Sequence, residues 1–162
     1  MTDQSKPVSA RNAFLSRIAI CVDQSTDRQM SGRIYSYYLR RCVPFSCLEE
    51  VLLLGDQLFN WLAYPQPSLD LRSFRTRSGK SRRKKETCML KKELPPVSSE
   101  AVSFPAGEKG TFVVQLMFRQ NATWQGSIRW VEAGKSQNFR SMLEPIYLIR
   151  DALGTDATIQ WE

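Results

Sequence analysis

Twice along this chain a β-prone stretch runs into a Ser-x-x-Glu phrase and then into a helix with one apolar stripe. The first passage is GRIY from Gly32, then FSCLE from Phe45, then a Leu-rich helix. The second is GSIR from Gly126, then FRSMLE from Phe139, then another helix. Gly32 to Ser46 is fourteen positions and Gly126 to Ser141 is fifteen. A helix with one apolar stripe must be covered by another layer, and a strand with one apolar face needs the same. The pattern therefore predicts an α+β fold: an antiparallel sheet with two helices on one face, built from two strand–strand–helix half-repeats. Capping boxes and hairpins are common, so chance similarity is the competing explanation. The halves can pair within one chain, or across two chains by edge strands.

The elements follow from periodicity. Ser16 to Asp23 reads as a strand with Ile18, Ile20 and Val22 on one face, and Gly32 to Leu39 as a Tyr-rich strand ended by Arg40, Arg41 and Pro44. Ser46 and Glu49 form the first expected capping box. Leu48, Val51, Leu52, Gly55, Leu58, Phe59 and Leu62 then keep helical spacing until Pro65 and Pro67. Leu69, Leu71 and Phe74 alternate weakly, as in a short strand. Phe112, Val114, Leu116 and Phe118 share one strand face, and Trp124, Ile128 and Trp130 another. A short strand, SQNFR, follows a turn at Ala133–Lys135. Ser141 and Glu144 form the second expected capping box, Pro145 sits in the first helical turn, and Gly154 ends the helix at C′. The last residues, TDATIQWE, read as a further short strand. The organisation expected is a flexible N-terminus over 1–13, one unit over 14–67, a connector over 68–110 and a second unit over 111–162. Residues 14–162 are expected to form one compact domain.

Charge is concentrated in the connector. Arg72, Arg75, Arg77, Lys80, Arg82, Arg83, Lys84, Lys85, Lys91 and Lys92 stand against the single acid Glu86, a balance of +9. The rest of the chain carries 13 basic and 15 acidic residues. A near-neutral body with a cationic segment fits contact with a polyanion, nucleic acid first among them. A solvated loop that keeps the protein dispersed fits the same composition. Arg72, Arg75, Arg77, Lys80, Arg82, Arg83, Lys84 and Lys85 are the candidate anion contacts. The run lacks aromatics except Phe74, so it reads as phosphate contact without base reading.

Several classes fall away. The chain has no histidine, which removes His-based triads, general bases and metal ligands. Cys21, Cys42, Cys47 and Cys88 lack paired zinc spacing and read as reduced thiols; a four-Cys metal site is the alternative. Gly107 to Thr111 (GEKGT) does not have P-loop spacing and reads as a turn. No converging acidic pair is visible, so no catalytic residue, metal or cofactor is assigned. No apolar run approaches the roughly 20 residues of a membrane helix, and the first residues lack a secretory apolar core. The expectation is a cytoplasmic protein without membrane contact.

The run from FVVQL through WQGSIRW to FRSMLE, with GRIYSYYL and YPQ earlier, resembles a family of small uncharacterised bacterial proteins. In these, a strand like FVVQL precedes a W-x-G-x-I/V hairpin, and a phrase like FRS-x-LE opens the last helix. The resemblance covers most of the chain. It implies a bacterial cytosolic origin and carries no established activity.

The most distinctive phrase is RQNATWQG, Arg119 to Gly126. Arg119, Asn121 and Gln125 could supply polar contacts to a small ligand beside the Trp124 ring. Its Asn-x-Thr-x-x-Gly part is similar to the second motif of PilZ domains, but the Arg-x-x-x-Arg pair of that family is missing. The plainer reading is a hairpin turn, with Asn121 and Gly126 easing the backbone and Trp124 packing on a helix. Tyr35, Tyr37, Tyr38, Trp61, Tyr64, Trp124 and Trp130 fit a core and its rim, or a base-stacking surface. Basic residues interleaved with aromatics on one exposed sheet face would favour stacking. Protein or self association through an aromatic sheet face is the remaining reading.

Overall fold

The computed structural model describes residues 13–39, 41–69, 72–74 and 104–155. After a helical turn at 13–15, strands β1 (Arg17–Ser25), β2 (Met30–Ser36) and β3 (Val43–Phe45) lead into helix α1 (Leu48–Leu62). Strands β4 (Gly110–Phe118), β5 (Gln125–Trp130) and β6 (Lys135–Phe139) lead into helix α2 (Leu143–Ala152). The six strands form one sheet in the order β3-β2-β1-β4-β5-β6, every neighbouring pair antiparallel. The α+β architecture expected from the sequence is the one observed, and both helices cover one sheet face.

Each half is a three-stranded meander followed by a helix: the short strand expected at SQNFR is β6, and the first half has one strand more than the sequence suggested. The added strand, β3, is only three residues long, and Pro44 in its middle masks it. The halves superpose at a constant offset of 94 residues. Val22 faces Gly32 and Gly32 faces Phe45; in the second half Leu116 faces Gly126 and Gly126 faces Phe139. The ladder shifts register between Val22 and Gln24, and again between Leu116 and Phe118. β1 and β4 pair with Ala19 opposite Val113, also 94 apart, so a pseudo-twofold axis normal to the sheet passes between them. A Cβ on Gly32 would lie 1.9 Å from the Cys21 carbonyl oxygen, and one on Gly126 would lie 2.1 Å from that of Gln115. Both glycines are required by close approach of neighbouring strands, not by an unusual φ.

The capping boxes do not form as expected. Cys47 and Met142 are the N-caps, and neither side chain caps its helix. Instead, the Ser46 N–H donates to Glu50 Oε2 at 2.6 Å, and the Arg140 N–H donates to Glu144 Oε2 at 2.9 Å. These pairs again differ by 94, so the equivalent carboxylates are Glu50 and Glu144, and Glu49 is not the cap. α1 ends as Ala63 turns left-handed, with φ 51°, and Gly154 takes φ 67° beyond α2.

The core lies between the sheet and the helices. Ile18, Ile20, Val22, Ile34, Phe112, Val114, Leu116 and Ile128 meet Val51, Leu58, Phe59, Leu62 and Ile149 there, all buried. Phe118 does not join its predicted stripe, because the bulge after Leu116 turns it out to 56% exposure. Leu69 and Phe74 are exposed and belong to no strand. The expected tail strand, and the expected N-terminal segment before residue 13, lie outside the described residues. Among the described residues no helix is long and apolar enough to cross a membrane.

The two sheet edges differ. Pro44 interrupts the donor row of β3, whereas its equivalent in β6 is Asn138.

Candidate nucleic-acid interface

Of the candidate anion contacts, Arg72 is described and exposed. Arg75, Arg77, Lys80, Arg82, Arg83, Lys84 and Lys85 lie outside the described residues. What the structure adds is where the connector leaves and rejoins the fold. It leaves beside the end of β4: the Ser68 N–H donates to the Arg119 carbonyl at 3.0 Å, and the Asn121 N–H donates to Ser68 Oγ at 3.2 Å. It rejoins on the sheet face opposite the helices. Phe104 packs on Tyr35 with ring centroids 6.4 Å apart. The Cys21 thiol donates to the Pro105 carbonyl at 3.0 Å, and the Lys109 N–H donates to the Val22 carbonyl at 2.8 Å. Burial pushes the Cys21 thiol up to about 11.

Residues 104–109 therefore roof one end of this outer face. Among the described residues the other end has no such roof, and its side chains follow from strand alternation. Position by position, Arg17 pairs with Gln115, Gln115 with Ser127 and Ser127 with Asn138, which sets these four side chains in one row across β1, β4, β5 and β6. The next row runs from Tyr35 through Ala19, Val113 and Arg129 to Ser136. Basic and aromatic groups alternate at the β1–β2 side. The Arg17 guanidinium lies over the Phe14 ring at 5.6 Å, Phe14 packs on Tyr37 at 5.4 Å, and the Arg33 guanidinium lies over Tyr35 at 5.6 Å.

The three arginines differ in their compensation. Arg33 grips Asp23 with two bonds of 2.8 and 2.9 Å, and donates to Tyr35 Oη at 2.8 Å. The Arg33 hydrogen bond holds the Asp23 carboxyl below the usual range, and Asp23 raises the guanidinium in turn. Arg17 donates to the neutral Gln115 at 3.0 Å. Arg129 is exposed and makes no ion pair among the described residues. Arg17 and Arg129 thus leave two positive charges on the unroofed end.

The hairpin candidates serve the fold. Arg119 is buried, donating to Asp56, to Asn60 at 2.8 Å and to the Pro65 carbonyl at 3.2 Å. Trp124 donates to Asp56 at 3.3 Å and packs edge-on against Phe59, its ring filling the notch at Gly55. Gln125 bonds the backbone of Gln120 through both amide atoms, at 2.9 and 3.1 Å. Asn121 and Ala122 take φ of 54° and 57°, so the turn is eased at Asn121 and not at Gly126. A cavity of about 390 Å³ lies between α2 and the β5–β6 edge, lined by Phe112, Trp130, Lys135 and Asp151 among others. Among the described residues no group of three or more acidic, Cys or His side chains is placed to hold a metal ion.

Sequence reasoning named Tyr35 and Tyr37 but missed Phe14, Arg17, Gln115, Ser127 and Arg129. The odd positions of the first strand, Arg17, Ala19 and Cys21, carried the signal. The register that sets them beside Gln115 and Arg129 is a property of the fold. The chain matches no protein-family model, no curated protein and no solved structure.

Proposed function

We propose that this chain is a non-enzymatic binding module whose basic connector contacts an anionic partner, nucleic acid. The observation that supports this reading is the +9 window between Arg72 and Lys92 on a body of balance −2. Such a segment releases counterions from a phosphate backbone when it binds, so binding is insensitive to sequence and steep in salt. Neutralising Arg82, Arg83, Lys84 and Lys85 together is expected to abolish binding to labelled DNA and RNA at moderate salt. Unchanged affinity in that variant would refute the reading.

A second reading rests on the helical layer. Leu53 and Trp61 of α1, and Leu143 and Tyr147 of α2, are all more than half exposed on the side away from the sheet. Apolar groups on an outer helical surface fit a protein or self contact. This reading uses the helices, not the aromatic sheet face expected from the sequence. Light scattering with and without residues 75–103 separates the two: the helical reading requires association that survives loss of the connector. The free thiols of Cys21, Cys42 and Cys47 support a reducing, cytoplasmic setting, and the family resemblance supports a bacterial one.

A further inference from the structure

We infer that the unroofed end of the outer sheet face takes the unpaired bases of single-stranded nucleic acid; this rests on the reading of the connector as the phosphate contact. Three features of the face converge on that ligand.

The first is the interleaving of rings and cations. At the unroofed end Phe14, Tyr37 and Arg17 form one contiguous contact group; Tyr35 and Arg33 form another beside the roof, where Phe104 already packs on Tyr35. Sheet faces of this kind bind nucleic acid by stacking bases on rings, with cations beside them. All five side chains are half-buried, so they are held in place while part of each remains accessible. The second is the polar row. Ser127 and Asn138 offer short donors and acceptors on adjacent strands, beside Gln115, whose amide already accepts from Arg17 and donates to Ser16, with Arg17 at the end of the row. At about 4.8 Å between strands the row spans roughly 14 Å, the scale of a few bases, not of a groove. The third is charge. Arg33 is paired with Asp23, whereas Arg17, at one end of the row, and Arg129, beside Ser127 in the next row, make no ion pair among the described residues.

A duplex fits this face poorly. Its bases are stacked on one another and offer rings nothing to stack on, and a broad sheet face does not enter a groove as a helix or a two-stranded ribbon does. The connector supplies affinity to either form, and the face supplies the preference for the single strand. The described end of the connector rejoins the fold on this same face, at Phe104 against Tyr35.

The experiment is a titration of the full chain against a labelled single-stranded oligonucleotide, the duplex of the same sequence, and polyglutamate, at low and moderate salt. The single strand is expected to bind at least tenfold tighter than the duplex. Tyr37→Leu is expected to weaken single-strand binding about five- to tenfold, with duplex binding and salt slope unchanged. Arg129→Gln alters one exposed side chain, so it tests the face even where Tyr37→Leu disturbs packing; it is expected to lower single-strand affinity and to reduce the salt slope by about 0.7. Equal binding of both forms, unaffected by either substitution, would overturn the inference and leave the connector reading intact. Polyglutamate binding as tightly as the single strand would overturn it too, since that makes the face a general anion surface. No binding to any nucleic acid would overturn both readings.

Discussion

The pseudo-twofold predicts that a core pair from one half can be rebuilt in the other. Gly55 of α1 receives the Trp124 ring, and a Cβ at Gly55 would lie 2.6 Å from Cη2 and 3.3 Å from Cζ2 of that ring. The indole has little room to retreat, because Phe59 packs on it and Asp56 holds its Nε1. At the offset of 94, the equivalents of Gly55 and Trp124 are Ile149 and Met30, and both are buried. One of the two equivalent sites thus sets no side chain against a very large one, and the other holds two residues of middle size. Gly55→Ala illustrates the competition of terms. Helix propensity favours alanine by about 0.8–1.0 kcal/mol, whereas overpacking costs about 1–3 kcal/mol. The clash is with a ring held on two sides, so the upper part of that range applies and a net loss of about 1–2 kcal/mol is expected. Trp124→Met alone leaves a cavity and costs about 2–3 kcal/mol. Gly55→Ile alone clashes harder than alanine, at about 3 kcal/mol or more. The double variant Gly55→Ile with Trp124→Met sets at this site the residues found at the equivalent positions, Ile149 and Met30, and is expected to be at least about 1.5 kcal/mol more stable than the sum of the singles implies. Urea unfolding followed by far-ultraviolet circular dichroism measures all four proteins without relying on the altered Trp. Single-variant costs that add to within about 0.5 kcal/mol would refute the equivalence.

Two further predictions concern the sheet. Gly32→Ala and Gly126→Ala drive a methyl into a neighbouring strand's carbonyl, and each is expected to cost more than about 3 kcal/mol, beyond the common range for single changes; Gly134→Ala, with φ 63° but open space around it, is expected to cost only about 1–2 kcal/mol, and thermal melting ranks the three. The Cys21 thiol is raised by burial to about 11 in the fold against an ordinary 9.0, so the unfolded chain releases this proton at lower pH than the folded one does. Its contribution to stability is therefore full below pH 9 and is lost as pH climbs towards 11, to the extent of about 2–3 kcal/mol. Cys21→Ala should flatten that alkaline limb in a series of urea midpoints against pH, and an unchanged limb would assign it to other groups.

How much of this was legible in the sequence varies with the physics behind each element. Long periodic stretches were readable: α1 spans the expected stripe up to Leu62, and β4 and β5 fall where alternation put them. β3 was not readable, because three residues with a central proline carry no period. It exists because Gly32 lets Phe45 lie against β2, a tertiary pairing. The capping was half readable. Ser-x-x-Glu occurs twice, but α1 begins after Cys47 and α2 after Met142, so the chosen serines fall outside the caps; of the two expected glutamates Glu144 reaches back, and in α1 its neighbour Glu50 does so in place of Glu49. That is also why the repeat was measured as fourteen positions against fifteen: the serines are not equivalent, whereas Glu50 and Glu144 are. The Arg119 hairpin was distinctive for structural reasons, since a buried guanidinium with three partners and a Trp over a glycine demand particular residues.

The symmetry also separates what the fold requires from what it leaves free. Positions identical in the two halves include Gly32 and Gly126, Ile34 and Ile128, Phe45 and Phe139, and Glu50 and Glu144. Close strand approach, core burial or capping accounts for each of these. On the core side a difference is compensated, as Gly55 and Trp124 are against Ile149 and Met30. On the outer face the segment 104–109 accounts for part of the difference: Thr111, the counterpart of Arg17, accepts from the Gly107 N–H, and Tyr35, the counterpart of Arg129, packs on Phe104, whereas Tyr37 against Val131 has no such account. The rings gather on the β1–β2 side, Arg129 stands across on β5, and the connector rejoins at Phe104, against Tyr35. The departure from symmetry is thus concentrated where a ligand would lie, which is the reason to test that face before the helices.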